Sequence, residues 1–206
     1  GYGDLEARGM GIWNKSQDSD RWRIYRYHNR SHNTLTVNDQ AQDVSGRASI
    51  TAFGGEPDDA FTIIDMAPVY EGELAEARRG FFLLPDGRLW IQDELVCGNH
   101  AADVRWAMTT RADVTITGPG HAVLTEQGKR LLFELHAPAG AVVESFSTVT
   151  GNAWDLNDPE IKQVGFQVKL SKGESETLAV LLTPGSRENS SVGEVLMPPL
   201  EQWTDK

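Results

Sequence analysis

The stretch FFLLPDGRLWIQDEL, residues 81–95, decides the predicted fold. Its two apolar halves, residues 81–84 and 88–95, flank the turn Pro85-Asp86-Gly87. An Asp-Gly pair between apolar runs is a strong hairpin signal, because glycine adopts a positive φ without steric cost. The stretch therefore predicts two antiparallel strands joined by a tight turn.

Short apolar runs separated by turn residues continue on both sides of this hairpin. A second hairpin is predicted at Gln127-Gly128-Lys129, and residues 71–79 are compatible with a short helix that Gly72 weakens. Further strands are predicted at residues 34–37, 49–53, 61–66, 114–117, 121–125, 131–136, 141–146, 165–170 and 177–183. This spacing is typical of an all-β fold, an antiparallel multi-sheet β-sandwich, with at least ten strands in two or more packed sheets.

Composition limits the class of protein. The 206 residues are 39% hydrophobic and 24% charged, a globular profile long enough to bury a core. The net charge of −11 argues against a nucleic-acid partner, and no apolar run is long enough to predict a membrane-spanning helix. A single cysteine, Cys97, excludes an internal disulfide and a cysteine-rich zinc site, and we expect it to be a buried, inert thiol.

Positive charge is concentrated near the start of the chain. Residues 1–47 carry seven basic and six acidic groups, whereas the other 159 residues carry twelve basic and twenty-four acidic groups. An anionic ligand is therefore expected to meet the first quarter of the chain.

The densest polar cluster is RWRIYRYHNRSHNTLTVNDQAQ, residues 21–42. In an unbroken strand, Arg26, His28, Arg30 and His32 would share one face, because alternate residues do. Such a face could bind a carboxylate or sulfate, and a neutral histidine could bind a metal or move a proton. The alternative is the polar outer face of an edge strand. His28 and His32 alone do not complete a zinc site, which needs three or four ligands.

The other aromatic and histidine residues have less specific patterns. Six tryptophans could stack on sugars, but Trp90 and Trp106 lie in strand-like runs that favour burial in the core. His100, His121 and His136 are expected at the surface or at strand ends.

The segments SHNTLTVNDQAQ (residues 31–42), IWNKSQDSDRWRIYRYHNRSHNTL (residues 12–35) and LWIQDELVCGNHAADVRWAMTT (residues 89–110) resemble heparinase II/III-type polysaccharide lyases. So do residues 120–135 and 178–184, and the similarity covers the whole chain. The resemblance implies that residues 1–206 are one β-sandwich region from the C-terminal part of a larger lyase. An N-terminal α/α toroid would then lie outside this chain.

The resemblance also implies an activity and a cofactor for the parent protein. Members of the family cleave uronic-acid-containing polysaccharides, such as glycosaminoglycans, by β-elimination, with catalytic residues from the toroid and from the start of the β region. A structural zinc ion is held by a His-x-His segment, a following Asp and the histidine of the His-Asn-Thr-Leu motif. The last ligand corresponds to His32, whereas no His-x-His occurs in this sequence. The chain alone is therefore expected to bind no zinc and to be inactive.

Two residues are candidates for contact with the acidic polysaccharide. Tyr2 corresponds to a family tyrosine that faces the cleft, and Arg26 lies in the basic cluster. The apolar residues that begin the chain suggest a fragment cut from a longer protein, and family resemblance implies a periplasmic or secreted parent. The competing function is a carbohydrate-binding or purely supporting β-sandwich without catalysis.

Overall fold

The computed structural model describes residues 22, 24–55, 60–152, 155, 158–185, 195 and 197–205. Its twelve strands, β1 to β12 in chain order, have the following bounds: Leu35–Val37, Ser49–Gly54, Phe61–Asp65, Leu74–Leu83, Leu89–Cys97, Ala102–Thr110, Asp113–Gly118, His121–Glu126, Lys129–Ala137, Glu144–Phe146, Lys162–Leu170 and Ser175–Pro184. The helical elements in this part of the chain are 3₁₀ turns at Tyr25–Tyr27, Asn29–Ser31, Ala67–Val69 and Leu200–Asp205. The predicted all-β fold is confirmed. Within the same part of the chain, no helix is long and apolar enough to cross a membrane.

Two antiparallel sheets pack as a sandwich. The small sheet has four strands in the order β1-β6-β11-β10, and the large sheet has eight in the order β2-β3-β4-β5-β12-β9-β8-β7. Both predicted hairpins are present, β4–β5 around Gly87 and β8–β9 around Gly128, where each glycine has a positive φ (85° and 75°). The glycine-containing turns in the sequence therefore specify both hairpins.

The short helix with which residues 71–79 are compatible does not form. Gly72 has a φ of 86° in a turn, and β4 begins two residues later, at Leu74. Strand β4 pairs with both β3 and β5, so ladder hydrogen bonds on two sides override the weak helical pattern.

The main core lies between the sheets. The Trp106 ring of β6 is stacked on Phe166 of β11 at 5.7 Å and meets Phe133 of β9 edge-on at 5.6 Å. Leu35 and Leu178 are fully buried in the same cluster. Burial of aromatic and aliphatic side chains from both sheets provides the main stabilisation of the sandwich.

A second apolar cluster covers the outer face of the large sheet. It joins Trp90 and Phe82 to Leu200 and Trp203 of the C-terminal 3₁₀ turn. The predicted core positions of Trp90 and Trp106 and the predicted burial of Cys97 are confirmed, since all three are at most 4% exposed. The buried tryptophans Trp90, Trp106 and Trp203 are therefore not available to stack on a sugar ring.

Candidate functional site

The polar segment before β1 folds into two consecutive 3₁₀ turns rather than a strand, at Tyr25–Tyr27 and Asn29–Ser31. The His28 ring accepts a hydrogen bond from the Arg30 amide (3.2 Å), and the Ser31 hydroxyl donates to the His28 carbonyl (3.0 Å). Such local bonds compete with strand pairing. Both interpretations from sequence, a ligand-binding strand face and the polar face of an edge strand, are therefore wrong about the strand.

The turns place the predicted site residues in different surroundings. His28 is buried, Arg26 and Arg30 are half-buried, and His32 is exposed. The Arg26 guanidinium lies over the neighbouring Tyr27 ring, with 6.0 Å from Cζ to the ring centroid. Tyr2, the other predicted substrate contact, lies outside the described residues.

The His-Asn-Thr-Leu motif follows the second turn and is anchored at every residue. The His32 amide donates to the Asn29 carbonyl (3.0 Å), which ends the turn. The Asn33 Oδ1 accepts from the Thr109 amide of β6 (2.8 Å). The Thr34 hydroxyl lies 3.1 Å from the hydroxyl of Tyr70. The exposed imidazole of His32 therefore projects from a backbone fixed to β6.

Tyr70 joins the motif to the large sheet. Its hydroxyl donates to the Leu35 carbonyl (2.9 Å) and accepts from the Gln42 amide nitrogen (2.7 Å). Burial raises the pKa of this phenol, so the hydroxyl stays protonated as a donor. These contacts make Tyr70 a positioning residue for the motif.

A buried ion pair lies beneath the motif, between the sheets. Arg79 of β4 donates to both oxygens of Asp93 of β5, from Nε (2.7 Å) and Nη2 (2.9 Å). Asp93 also accepts from Trp106 Nε1 (3.0 Å), and Arg79 Nη1 donates to the Asn33 carbonyl (3.1 Å). The pair therefore links the core of the sandwich to the His-Asn-Thr-Leu motif.

The structure also identifies site residues that sequence reasoning missed: Tyr70, Arg79, Asp93, Asp39 and Arg105. The predicted strand at residues 88–95 contained Asp93, but Arg79 lay in the stretch compatible with a helix, so no local signal paired the two residues. No local pattern indicated Tyr70 or Arg105, because their partners are distant in the sequence, whereas Asp39 lay in the polar cluster of residues 21–42 without a predicted role.

The buried imidazole of His28 gives the site a pH-dependent stability. Burial, with the positive charge of Arg30 adding to it, lowers the pKa of His28 from 6.5 to about 4. Below pH 6.5 the unfolded chain binds a proton at His28 that the folded chain does not bind until about pH 4. We therefore expect the free energy of unfolding to fall by at most about 3 kcal/mol as the pH falls through this window.

Urea denaturation of the chain between pH 7 and pH 4 would measure this loss. His28→Gln should flatten the pH dependence of the free energy of unfolding, whereas His121→Gln, at an exposed position of β8, should leave it unchanged. An equal slope in wild type and His28→Gln would contradict the assignment to His28.

The described residues provide one candidate ligand for the zinc ion that the resemblance implies. His32 is exposed, and no ring hydrogen bond ties it to the residues described around it. No group of three or more His, Cys, Asp or Glu side chains that could hold a metal occurs in the described ranges. These residues therefore do not fit a complete tetrahedral site.

Comparison with known families gives one match. The model of the heparinase II/III-like C-terminal family matches residues 6–180, which is most of the chain. The match includes the two 3₁₀ turns before β1, the His-Asn-Thr-Leu motif and both strands that carry the Arg79–Asp93 pair. No curated protein sequence matches the chain.

Several solved structures share the fold. The heparan sulfate lyase HepC from Pedobacter heparinus has a TM-score of 0.64 and 11% identity, over 83% of this chain and 26% of that chain. Heparinase III has a TM-score of 0.64 and 14% identity, over 90% of this chain and 28% of that chain. A heparinase III with methylated lysines has a TM-score of 0.65 and 11% identity, over 90% of this chain and 29% of that chain. The chain thus spans less than a third of each of these proteins.

Proposed function

Since the chain belongs to the heparinase II/III-like C-terminal family, we propose that it is the β-sandwich part of a lyase that cleaves uronic-acid-containing polysaccharides by β-elimination. The observation that carries this proposal is the family match across residues 6–180, which includes the anchored His-Asn-Thr-Leu motif. The resemblance to a heparan sulfate lyase in fold supports an acidic polysaccharide as the substrate class.

The reaction sets the requirements for the rest of the protein. β-Elimination needs a base for the proton α to the uronate carboxylate and donors that neutralise that carboxylate as charge develops. In this proposal an N-terminal toroid of the same protein supplies the base. The present chain supplies one wall of the cleft, with Tyr2 and Arg26 as substrate contacts, and is inactive by itself. The parent protein is proposed to be periplasmic or secreted.

The contribution of the chain to a metal site is His32. In the parent we propose that this imidazole joins ligands from outside the described residues around a structural zinc ion. The support is geometric: the His32 ring is exposed, and its backbone is held by Asn29 while Asn33 is held by β6. A bound zinc ion would stabilise the fold at this point and carry no step of the elimination.

The test uses the complete parent protein and follows the ultraviolet absorbance of the unsaturated uronate that elimination produces. We expect turnover of an acidic polysaccharide by the parent and none by residues 1–206 alone. Robust turnover by the isolated chain would contradict the proposed division of labour, and a parent that cleaves no uronate polymer would overturn the lyase assignment.

His32→Ala in the parent should lower bound zinc from about one ion per chain to well below one, and should lower the unfolding temperature with it. The matched control is His121→Ala, since His121 is also exposed but lies on β8. Full zinc content with abolished turnover in His32→Ala would instead assign His32 a catalytic role.

A further inference from the structure

The outer face of the small sheet carries a cavity of about 380 Å³ that is lined mainly by polar residues. Arg105 of β6 lines this cavity and is level with Thr36 of β1 on one side and Gln167 of β11 on the other. Asp39 and Lys169 also line the cavity. Side chains from three strands and from the turn after β1 therefore surround a space large enough for a sugar residue.

Two arginines meet beside this cavity at a single carboxylate. Arg30, from the second 3₁₀ turn, donates through Nη1 to both oxygens of Asp39 (3.0 and 3.2 Å). Arg105 Nη2 lies 4.0 Å from Asp39 Oδ1, outside hydrogen-bond distance. The Asp39 side chain is 66% exposed, whereas that of Arg105 is 18% exposed. An exposed carboxylate thus lies between two guanidinium groups and forms hydrogen bonds with only one of them.

Donors without acceptors are concentrated at the same place. Six buried side-chain polar atoms in the described ranges have no hydrogen-bond partner, and four of them are Tyr25 OH, Arg30 Nε, Arg105 Nε and Arg105 Nη2. Buried donors normally have partners, because a donor without one loses its bond to water and gains nothing in return. This cluster of three side chains therefore lacks acceptor atoms.

The charges around Arg105 also indicate that its guanidinium lacks a close anionic partner. Burial lowers the pKa of Arg105; the Asp39 charge opposes the shift, and the positive charge of Arg30 adds to it. Glu144 of β10 also favours the charged guanidinium, but forms no ion pair with it. Lys169 is paired with Asp103 at 3.6 Å, so Asp103 is engaged by another cation. An additional anion would stabilise both arginines.

We propose that Arg30 and Arg105 bind the carboxylate or sulfate group of an acidic sugar residue, and that Asp39 occupies the anion position until that ligand replaces it. Two guanidinium forks suit planar or tetrahedral oxyanions. The Phe146 ring, 5.2 Å from Arg105 Cζ, fixes the plane of one fork. Exposed ion pairs contribute little to stability, so displacement of Asp39 costs little. The choice of a sugar ligand rests on the proposed function, whereas the anion site does not.

The test is calorimetric titration of the 206-residue chain at low salt, with no turnover involved. The probes are a sulfated heparin oligosaccharide, an unsulfated polygalacturonate oligosaccharide, and a neutral dextran oligosaccharide as control. We expect at least one acidic probe to bind and the neutral one not to bind. Preference for the heparin probe identifies sulfate as the bound group; equal or stronger binding of polygalacturonate identifies carboxylate.

Variants distinguish a specific anion site from general charge attraction, because the two predict different changes in binding affinity. Arg30→Gln and Arg105→Gln should each weaken binding roughly tenfold or more, because a charge-assisted bond is lost. Asp39→Asn should tighten binding about fivefold, because the competing carboxylate is removed. Arg111→Gln is the matched control, since Arg111 is an exposed arginine paired with Asp158 and Glu160, and should bind as wild type does.

Absence of binding by both acidic probes would overturn the proposal. So would wild-type affinity in Arg105→Gln, unchanged or weaker binding in Asp39→Asn, or an equal loss in Arg111→Gln. If Arg105→Gln does not fold, the affinity of Asp39→Asn still tests the proposed anion site, because residue 39 is exposed. If the parent lyase turns over its substrate normally while the isolated β-sandwich binds neither probe, the proposed anion site is overturned. The proposed function is then unaffected.

Discussion

Arg79→Ala is expected to lower the free energy of unfolding by about 3–5 kcal/mol, because it leaves a carboxylate buried without its counter-ion. Asp93 is 0% exposed, so water cannot replace the two hydrogen bonds from Arg79. Burial acts to lower the pKa of Arg79, but the Asp93 charge and hydrogen bonds raise it above its ordinary value. Since a typical domain is stable by about 5–15 kcal/mol, one substitution would remove a large share. Urea denaturation measures the loss.

The neighbouring pair on the same two strands is the control. Arg78 of β4 donates to Glu94 of β5 (2.7 Å) on the outer face of the large sheet, and its side chain is 37% exposed. Arg78→Ala should therefore cost less than about 1 kcal/mol. Equal losses for Arg78→Ala and Arg79→Ala would contradict the burial argument. The combined variant Arg79→Met with Asp93→Leu should recover part of the loss, because no unpaired charge remains.

The strands could be predicted because their signals are local. Alternating apolar residues and the Asp86-Gly87 and Gln127-Gly128 turns specify hairpins within a few residues. Strand β4 escaped prediction over residues 74–79 because its pairing partners, β3 and β5, decide its conformation. The chain order also gave no indication that β1, β6, β11 and β10 form a separate sheet.

The candidate site was less predictable than the fold, for two physical reasons. Side-chain bonds of His28 and Ser31 to the nearby backbone select 3₁₀ turns over a strand, and no periodic pattern records such bonds. Arg105 reaches Asp39 and the segment before β1 only because β1 pairs with β6, a strand far along the chain. The charge distribution of the sequence predicted that an anion would meet the basic segment, but it gave no indication of Arg105, which comes from β6.

The C-terminal turn is another element that no local signal predicted, and Trp203→Ala tests its attachment to the large sheet. Trp203 is fully buried, meets Phe82 edge-on at 5.5 Å and donates from Nε1 to the Pro198 carbonyl (3.0 Å). It packs where Gly80 has no side chain, since a Cβ there would lie 2.6 Å from the Trp203 ring. We expect a loss of about 3–5 kcal/mol in the free energy of unfolding.

Near-ultraviolet circular dichroism and urea denaturation would follow this loss, with the exposed neighbour Gln202→Ala as a control expected within about 0.5 kcal/mol of wild type. Gly80→Ala should also destabilise the chain, because its Cβ displaces Leu200 and Trp203. In Trp203→Ala the space for that Cβ opens, so Gly80→Ala should cost less there than in the wild type. Additive losses, or a Trp203→Ala variant as stable as Gln202→Ala, would mean that the turn does not pack on β4. If the losses in the free energy of unfolding from Gly80→Ala and Trp203→Ala are instead coupled, the two residues share one contact. The C-terminal turn is then part of the folded domain.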